Sequence, residues 1–369
     1  MHYRLTLLMA AILTIDTLWT PLTAADTAAI RISLNTADMP EISLGKRLFF
    51  DRRLSANGTL SCGMCHIPEQ GFAQNQLRTP VGFEGRTVKR NSPTLLNVAS
   101  RKVLFHDGRE FTLEDQVWSP LLSNREMGNV SIGVVIERLR HLDDYADVFN
   151  SIYADGITIV TIGTAIAAYE RTLVAVATPF DSWNADKDED AVNDDVKQGF
   201  ALFNRHGCGQ CHTIESGNRH FTDDQFHNTG IGFERSMKAS VRETSIIQLS
   251  ETISVKSRQT FDSDGLNDLG RYEVTGDPAD RWKYRTPTLR NIELTAPYMH
   301  DGSLSSLEEV IKFYMHGGII NEGLDERLLP FTLDEKEIKQ LVAFLNALTS
   351  PSAFTLAIDA RKTAIGDHH

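Results

Sequence analysis

The chain has 369 residues, 41% of them apolar and 23% charged, and a formal net charge of -12. This is the make-up of a globular protein long enough for two cored domains. The acidic balance argues against nucleic acid as a partner and would suit a basic protein.

In chain order, a basic start at Arg4, an apolar run from Leu5 to Trp19 and the small residues Thr23, Ala24 and Ala25 predict a signal peptide over residues 1–25. No later stretch has the ~18 uninterrupted apolar residues of a membrane span, so the mature chain is expected not to span a membrane. Residues 26–42 read as a polar leader, and Leu44 to Asp51 as a compact amphipathic helix. A turn at Asn57-Gly58 leads into Cys62-Gly63-Met64-Cys65-His66, and a glycine-rich loop follows through Gly71, Gly82 and Gly85. Helical periodicity returns at 131–140, 142–153 and 158–175. The charged stretch 184–195 reads as a linker, and a helix from Val196 to Asn204 delivers Cys208-Gly209-Gln210-Cys211-His212. A polar region over 213–282 has little periodicity, and His220 and His227 within it read as surface or supporting residues. The capping box Ser305-Ser306-Leu307-Glu308 opens one closing helix, which ends at Gly317-Gly318, and Thr332-Leu333-Asp334-Glu335 opens another. Strand signals are scarce. The expected class is mostly α, with domains over 40–185 and 186–350 and a tail over 351–369.

The two cysteine stretches carry the chemistry. In each, two thiols three residues apart can form thioethers to a porphyrin's vinyl groups, and the adjacent histidine then lies under the iron. Two copies use all four cysteines of the chain, so two covalently bound haem c groups are expected and no disulfide. His66 and His212 are the expected iron ligands. Thioether attachment takes place beyond the bacterial inner membrane, which agrees with the signal peptide and predicts a periplasmic location.

The halves are also repeats of one another. Ser92-Pro93-Thr94-Leu95-Leu96-Asn97 matches Thr286-Pro287-Thr288-Leu289-Arg290-Asn291, Phe105-His106-Asp107-Gly108 matches Met299-His300-Asp301-Gly302, and the offset is 194 throughout (His106 to His300). The haem motifs are offset by only 146 (His66 to His212), so the second half carries about 48 extra residues in its polar region. Each domain is then one cytochrome c-like helical unit, duplicated. In the same register Tyr314 falls opposite Pro120. A phenol can ligate iron and a proline side chain cannot, so the repeat predicts one six-coordinate haem and one open haem. Met315 and His316 have ligand chemistry too and are rivals to Tyr314.

These residues resemble the bacterial di-haem cytochrome c peroxidase family, and within it the MauG-like branch, over roughly residues 40 to 350. The resemblance rests on the two haem motifs, the RNSPTLLN segment from Arg90, the HDGR segment at 106–109, the REMGN segment at 125–129 and TAPYMHDGSL at 295–304. It implies a peroxidatic N-terminal haem, an electron-transfer C-terminal haem and a Ca2+ ion between them. It also implies roles residue by residue: Glu126 as acid–base glutamate, Gln116 as a polar distal neighbour, and Asn91 with the carbonyls of Thr295 and Pro297 as calcium ligands. Tyr314, 17 residues after Pro297, matches the second haem's axial ligand, a tyrosine in the MauG-like branch. Two positions depart from ordinary members: Phe83 stands where they carry a histidine that caps the peroxide haem, and His106 where many carry a tryptophan.

The chemistry expected is therefore that of a haem-dependent peroxidase or oxidoreductase. Glu126 moves a proton between the oxygens of H2O2 bound at the open iron, if burial raises its pKa, and Pro120 shapes the pocket. A phenolate ligand favours high oxidation states and a thioether favours Fe(II). This favours a periplasmic enzyme that uses H2O2 to form a high-valent iron state and oxidises a tryptophan or tyrosine of a protein partner. The alternative is a cytochrome c peroxidase that takes electrons from a small c-type cytochrome or cupredoxin. The resemblance allows a monomer or a homodimer.

Overall fold

The computed structural model describes residues 39–214, 220–238, 245–248, 254–257 and 267–362. The signal-peptide reading over 1–25 lies outside them. The expected mostly helical class is what the chain adopts.

Helix α1 (Pro40–Phe50) starts with proline in its first turn, where no amide partner is required. Its Leu44, Leu48 and Phe49 face inward. The first haem motif forms the short α2 (Cys62–Cys65), and α3 (Leu113–Gln116) and α4 (Trp118–Leu122) follow. Three longer helices, α5 (Ile132–Arg140), α6 (Asp143–Ile152) and α7 (Ile159–Arg171), lie where the periodicity placed them. The last opens with a reciprocal capping box between Thr158 and Thr161.

The second half repeats the plan. Helices α8 (Pro179–Asn184) and α9 (Asp194–Arg205) lead to a short turn over Cys208–Gln210 that carries the second motif. The polar region contains α10 (Ile231–Lys238), α11 (Tyr272–Thr275) and two antiparallel ladders, β1 (Phe226–His227) with β4 (Tyr284–Arg285) and β2 (Ser245–Gln248) with β3 (Ser254–Ser257). Helices α12 (Leu307–Met315), α13 (Glu335–Asn346) and α14 (Pro351–Ala360) complete the described chain.

Among the described residues each half has one large hydrophobic core, and a small cluster of Leu104, Leu113 and Ala167 lies beside them. The helix that precedes each haem motif crosses a later helix of its own half at a glycine. A Cβ on Gly45 would sit 1.8 Å from the carbonyl oxygen of Ala165, and one on Gly199 would sit 2.0 Å from that of Gln340. No larger residue allows either backbone approach, so both crossings depend on glycine.

Two boundaries differ from the sequence reading. Phe180 and Trp183 of α8 pack into the second core, so α8 belongs by contact with the second half. The tail is a helix over 351–360 whose Ala353, Leu356 and Ala360 return to the first core, with Asp359 paired to Lys46 at 2.7 Å. Its apolar positions find their partners some 300 residues away, which no local pattern reveals. The halves are also tied by a buried ion pair: Arg90, which bonds Asp107 of its own half at 2.6 Å, bonds Asp268 of the other at 2.7 Å, and both carboxylates are nearly inaccessible. No single helix among the described residues is long and apolar enough to cross a membrane.

Candidate haem sites and the cavity between them

Both motifs open on one cavity of about 780 Å3 lined by residues of both halves. Cys65, Cys208 and Cys211 line it, and all four cysteines are unpaired thiols. Burial pushes the Cys65 thiol up to about 12 and Cys208 up to about 11.

The histidines are held alike in the two halves. His66 Nδ1 lies 3.0 Å from the carbonyl oxygen of Phe72, and His212 Nδ1 lies 2.8 Å from that of Phe221. A carbonyl only accepts, so Nδ1 carries the proton in each ring and Nε2 keeps its lone pair. Burial holds both imidazoles below their ordinary pKa and hence neutral. Two free thiols beside a neutral, oriented imidazole, facing a cavity of cofactor size, fit a covalent haem in each half.

On the first side, Gln116, Pro120 and Glu126 line the cavity with His66. Burial raises the Glu126 carboxyl, against a bond from the Ser123 hydroxyl and the charge of Arg109. The backbone around it is fixed by Glu126 N–H to Ser123 O (3.1 Å) and Phe83 N–H to Glu126 O (2.8 Å). The Phe83 ring packs on Gly128 and does not line the cavity.

On the second side, Tyr314 lines the cavity with His212. Its rivals do not: Met315 packs into the second core, and exposed His316 turns its Nδ1 to the carbonyl of Lys312. Burial pushes the Tyr314 phenol well above its usual pKa.

Asn91, Thr295 and Pro297 line the same cavity between the halves. Asn91 Nδ2 donates to the carbonyl of Arg78 at 3.0 Å, which turns Oδ1 the other way. Among the described residues that oxygen and the Thr295 and Pro297 carbonyls accept no hydrogen bond. Three unsatisfied oxygens suit a hard cation. His106 donates Nε2–H to the Asn91 carbonyl at 3.0 Å, and Asn91 N–H donates to the His300 carbonyl at 2.7 Å. The repeated histidines are thus bridged by the backbone of one asparagine. Burial brings them down to about 3 and about 4, so both are neutral.

One constellation escaped sequence reasoning. His227 lies between Asp223 (3.0 Å) and Asp325 (2.7 Å), close to Cys211. Burial would lower this imidazole, but Asp223, Cys211 and Asp325 outweigh it and bring it up to about 10. Cys211, Asp223 and His227 could together hold a metal ion, but a thioether at Cys211 takes that sulfur away. Asp325 is 98 positions from His227, so no spacing announced the pair.

Two helical halves that each present a C-x-x-C-H motif to a shared cavity define a di-haem c-type oxidoreductase, and the chain belongs to the di-haem cytochrome c peroxidase family. The family of that description matches residues 39–190. The chain is 37% identical to the methylamine utilization protein MauG of Methylorubrum extorquens, over 86% of this chain and 80% of that one. It is 36% identical to the cytochrome-c peroxidase IdrP1 of Denitromonas iodatirespirans, over 85% and 82%. Among solved structures, a MauG-like protein associated with microbial copper homeostasis superposes with a TM-score of 0.69 at 29% identity, covering 86% of this chain and 91% of that one. Membership makes the protein a haem-dependent oxidoreductase with two haem c groups.

Proposed function

We propose that the protein is a periplasmic di-haem enzyme that uses H2O2 to oxidise a side chain of a partner protein. The observation that carries this reading is the pair Tyr314 and Pro120, one repeat apart and both lining the cavity: the phenol could ligate a second haem, whereas the proline ring could not ligate a first. When bound, the haems supply peroxide binding, O–O cleavage and storage of two oxidising equivalents.

The chain's own residues do the rest. His66 and His212 would hold the irons through Nε2, and Tyr314 would offer the second iron a hard anionic donor, which disfavours a ferrous resting state. Glu126, raised by burial, takes the proton from the inner peroxide oxygen and returns it to the outer one, which leaves as water. Gln116 offers an amide to the same space, and Pro120 keeps that face free of a ligand. Asn91 with the Thr295 and Pro297 carbonyls would hold Ca2+ at the junction and keep the halves in register. The periplasmic address rests on the signal-peptide reading of residues 1–25.

The second reading is a peroxide-reducing enzyme fed by a small c-type cytochrome or cupredoxin, supported by the similarity to a cytochrome-c peroxidase at almost the same identity as to MauG. Phe83 favours the first reading, because nothing at that position can cap the open iron. The deciding experiment is EPR and optical spectroscopy of the diferric protein before and after one equivalent of peroxide. One high-spin and one low-spin haem that react directly are expected. Two low-spin haems that react only after one-electron reduction would overturn the first reading in favour of the second.

A further inference from the structure

An aromatic ladder runs from the second half of the cavity to the surface. Phe203 lines the cavity with Cys208, His212 and Tyr314. Its ring centroid is 5.1 Å from that of Phe344, which lies 5.4 Å from Phe200 and 5.3 Å from Phe180. Phe200 and Phe180 each stand 5.9 Å from Trp183, edge to face. Successive rings of the ladder stand 5.1 to 5.9 Å apart between centroids, within the range of aromatic contact. Phenylalanine is too hard to oxidise to hold a hole, so these rings act only as the medium. The indole at the end is different.

Trp183 is half-buried, and its Nε1–H donates to Glu189 Oε2 at 3.3 Å. Glu189 is exposed, and its bonds from Lys197 and Trp183 hold the carboxyl below its usual pKa, so the indole faces an ionised acceptor. Oxidation makes an indole N–H acidic, and a carboxylate in place lets the proton leave with the electron. The other described tryptophans lack this arrangement. Trp118 lies in the first core, and Trp282 donates to the Ser236 hydroxyl and packs on the Phe233 ring. Asp186, Asp188, Glu189 and Asp190 stand exposed together and outnumber the neighbouring cations Lys187 and Lys197, so a cationic surface is the one that fits against Trp183.

We propose that Trp183 is the relay through which oxidising equivalents leave the second haem domain for a basic protein donor that cannot enter the cavity. The inference rests on the peroxide chemistry proposed above, which supplies the oxidant. In each pass the indole loses one electron toward the second haem and its Nε1 proton to Glu189. The donor then returns one electron, and the proton goes back from Glu189 to the indole. Two passes balance the two equivalents of one peroxide.

The test is rapid-freeze EPR of the diferric holoprotein mixed with one equivalent of peroxide and no donor, with the haem spectrum followed in parallel. A neutral indolyl radical is expected, with hyperfine structure that narrows in protein grown on ring-deuterated tryptophan. Trp183→Phe should lose at least tenfold of that signal while keeping the unreacted two-haem spectrum, which shows that it folds. Glu189→Gln should retain the radical with the hyperfine pattern of a protonated indole. After repeated peroxide, oxygenated products should map to Trp183 in peptide mass spectra. A radical of full intensity in Trp183→Phe, or a peroxide reaction that yields no indolyl radical, would overturn the relay and leave the peroxide reading standing. No haem response to peroxide at all would overturn both.

Discussion

Asn97 and Asn291, equivalent residues of the repeat, donate their side-chain amides to the same oxygen, the carbonyl of Ala175, at 2.9 and 3.1 Å. Both stand in the left-handed region, at φ of 61° and 60°, which asparagine tolerates better than most residues. Each side-chain oxygen also accepts a backbone N–H, from Ala175 and from Ser350. The connection between the halves is thus clamped from both sides by one motif used twice. Asn97→Ala and Asn291→Ala each orphan buried backbone groups and should each cost about 1–3 kcal/mol. Denaturant unfolding would read this; a loss within error of zero would show that water replaces the amides.

Tyr314→Met should raise the second haem's reduction potential and change its low-spin signal while the first haem's signal stays as it was. Met315→Leu should change neither, since Met315 packs into the core. Potentiometry and EPR on the two variants distinguish the ligands, and a spectral response to the Met315 change would count against Tyr314.

Glu126→Gln keeps the shape of the pocket and removes the proton acceptor. Turnover with peroxide should fall by about 10²–10⁴-fold. The base must be ionised, and burial raises its pKa above the ordinary carboxylate value. The wild-type rate should therefore fall as pH drops through that raised pKa, with the acidic limb above the 4.5 of a free glutamate. A pH–rate profile that keeps this limb in Glu126→Gln would assign the titration to another group.

Glu170 is a stability prediction. It is 5% exposed with Oε2 unpartnered, and burial, with a smaller push from Glu114 against Arg171, raises it from 4.5 to about 8. Between those values the unfolded chain ionises while the native carboxyl keeps its proton, so stability falls as pH rises, by up to about 1.4 kcal/mol per unit. Glu170→Gln should be more stable than wild type at pH 8 and equal to it at pH 4. Parallel stability curves in urea would show that the group does not control this slope.

Chelation of Ca2+ should disturb the spectra of both haems and be reversed by Ca2+ but not by Mg2+, which requires a tighter octahedral shell. Asn91→Ala should reproduce the chelated state. Titration of the chelated holoprotein, read optically and by metal analysis, checks both; stoichiometric calcium in Asn91→Ala would remove that residue from the site.

The sequence by itself determined the two C-x-x-C-H motifs as candidate haem attachment points, the mostly helical class and the pairing of Tyr314 with Pro120. These are written locally, in contiguous C-x-x-C-H motifs and in a repeat of constant offset, and they need no knowledge of what packs on what. Only the tertiary structure decided which of Tyr314, Met315 and His316 turns to the cavity, because neighbours on a helix point about 100° apart and the packing of α12 chooses among them. It alone returned α14 to the first core, placed α8 in the second and set His227 between Asp223 and Asp325. The ladder from Phe203 to Trp183 is likewise absent from any spacing, since its rings come from α8, α9 and α13. Long-range contacts of this kind are set by the shapes of whole surfaces, which sequence proximity does not encode.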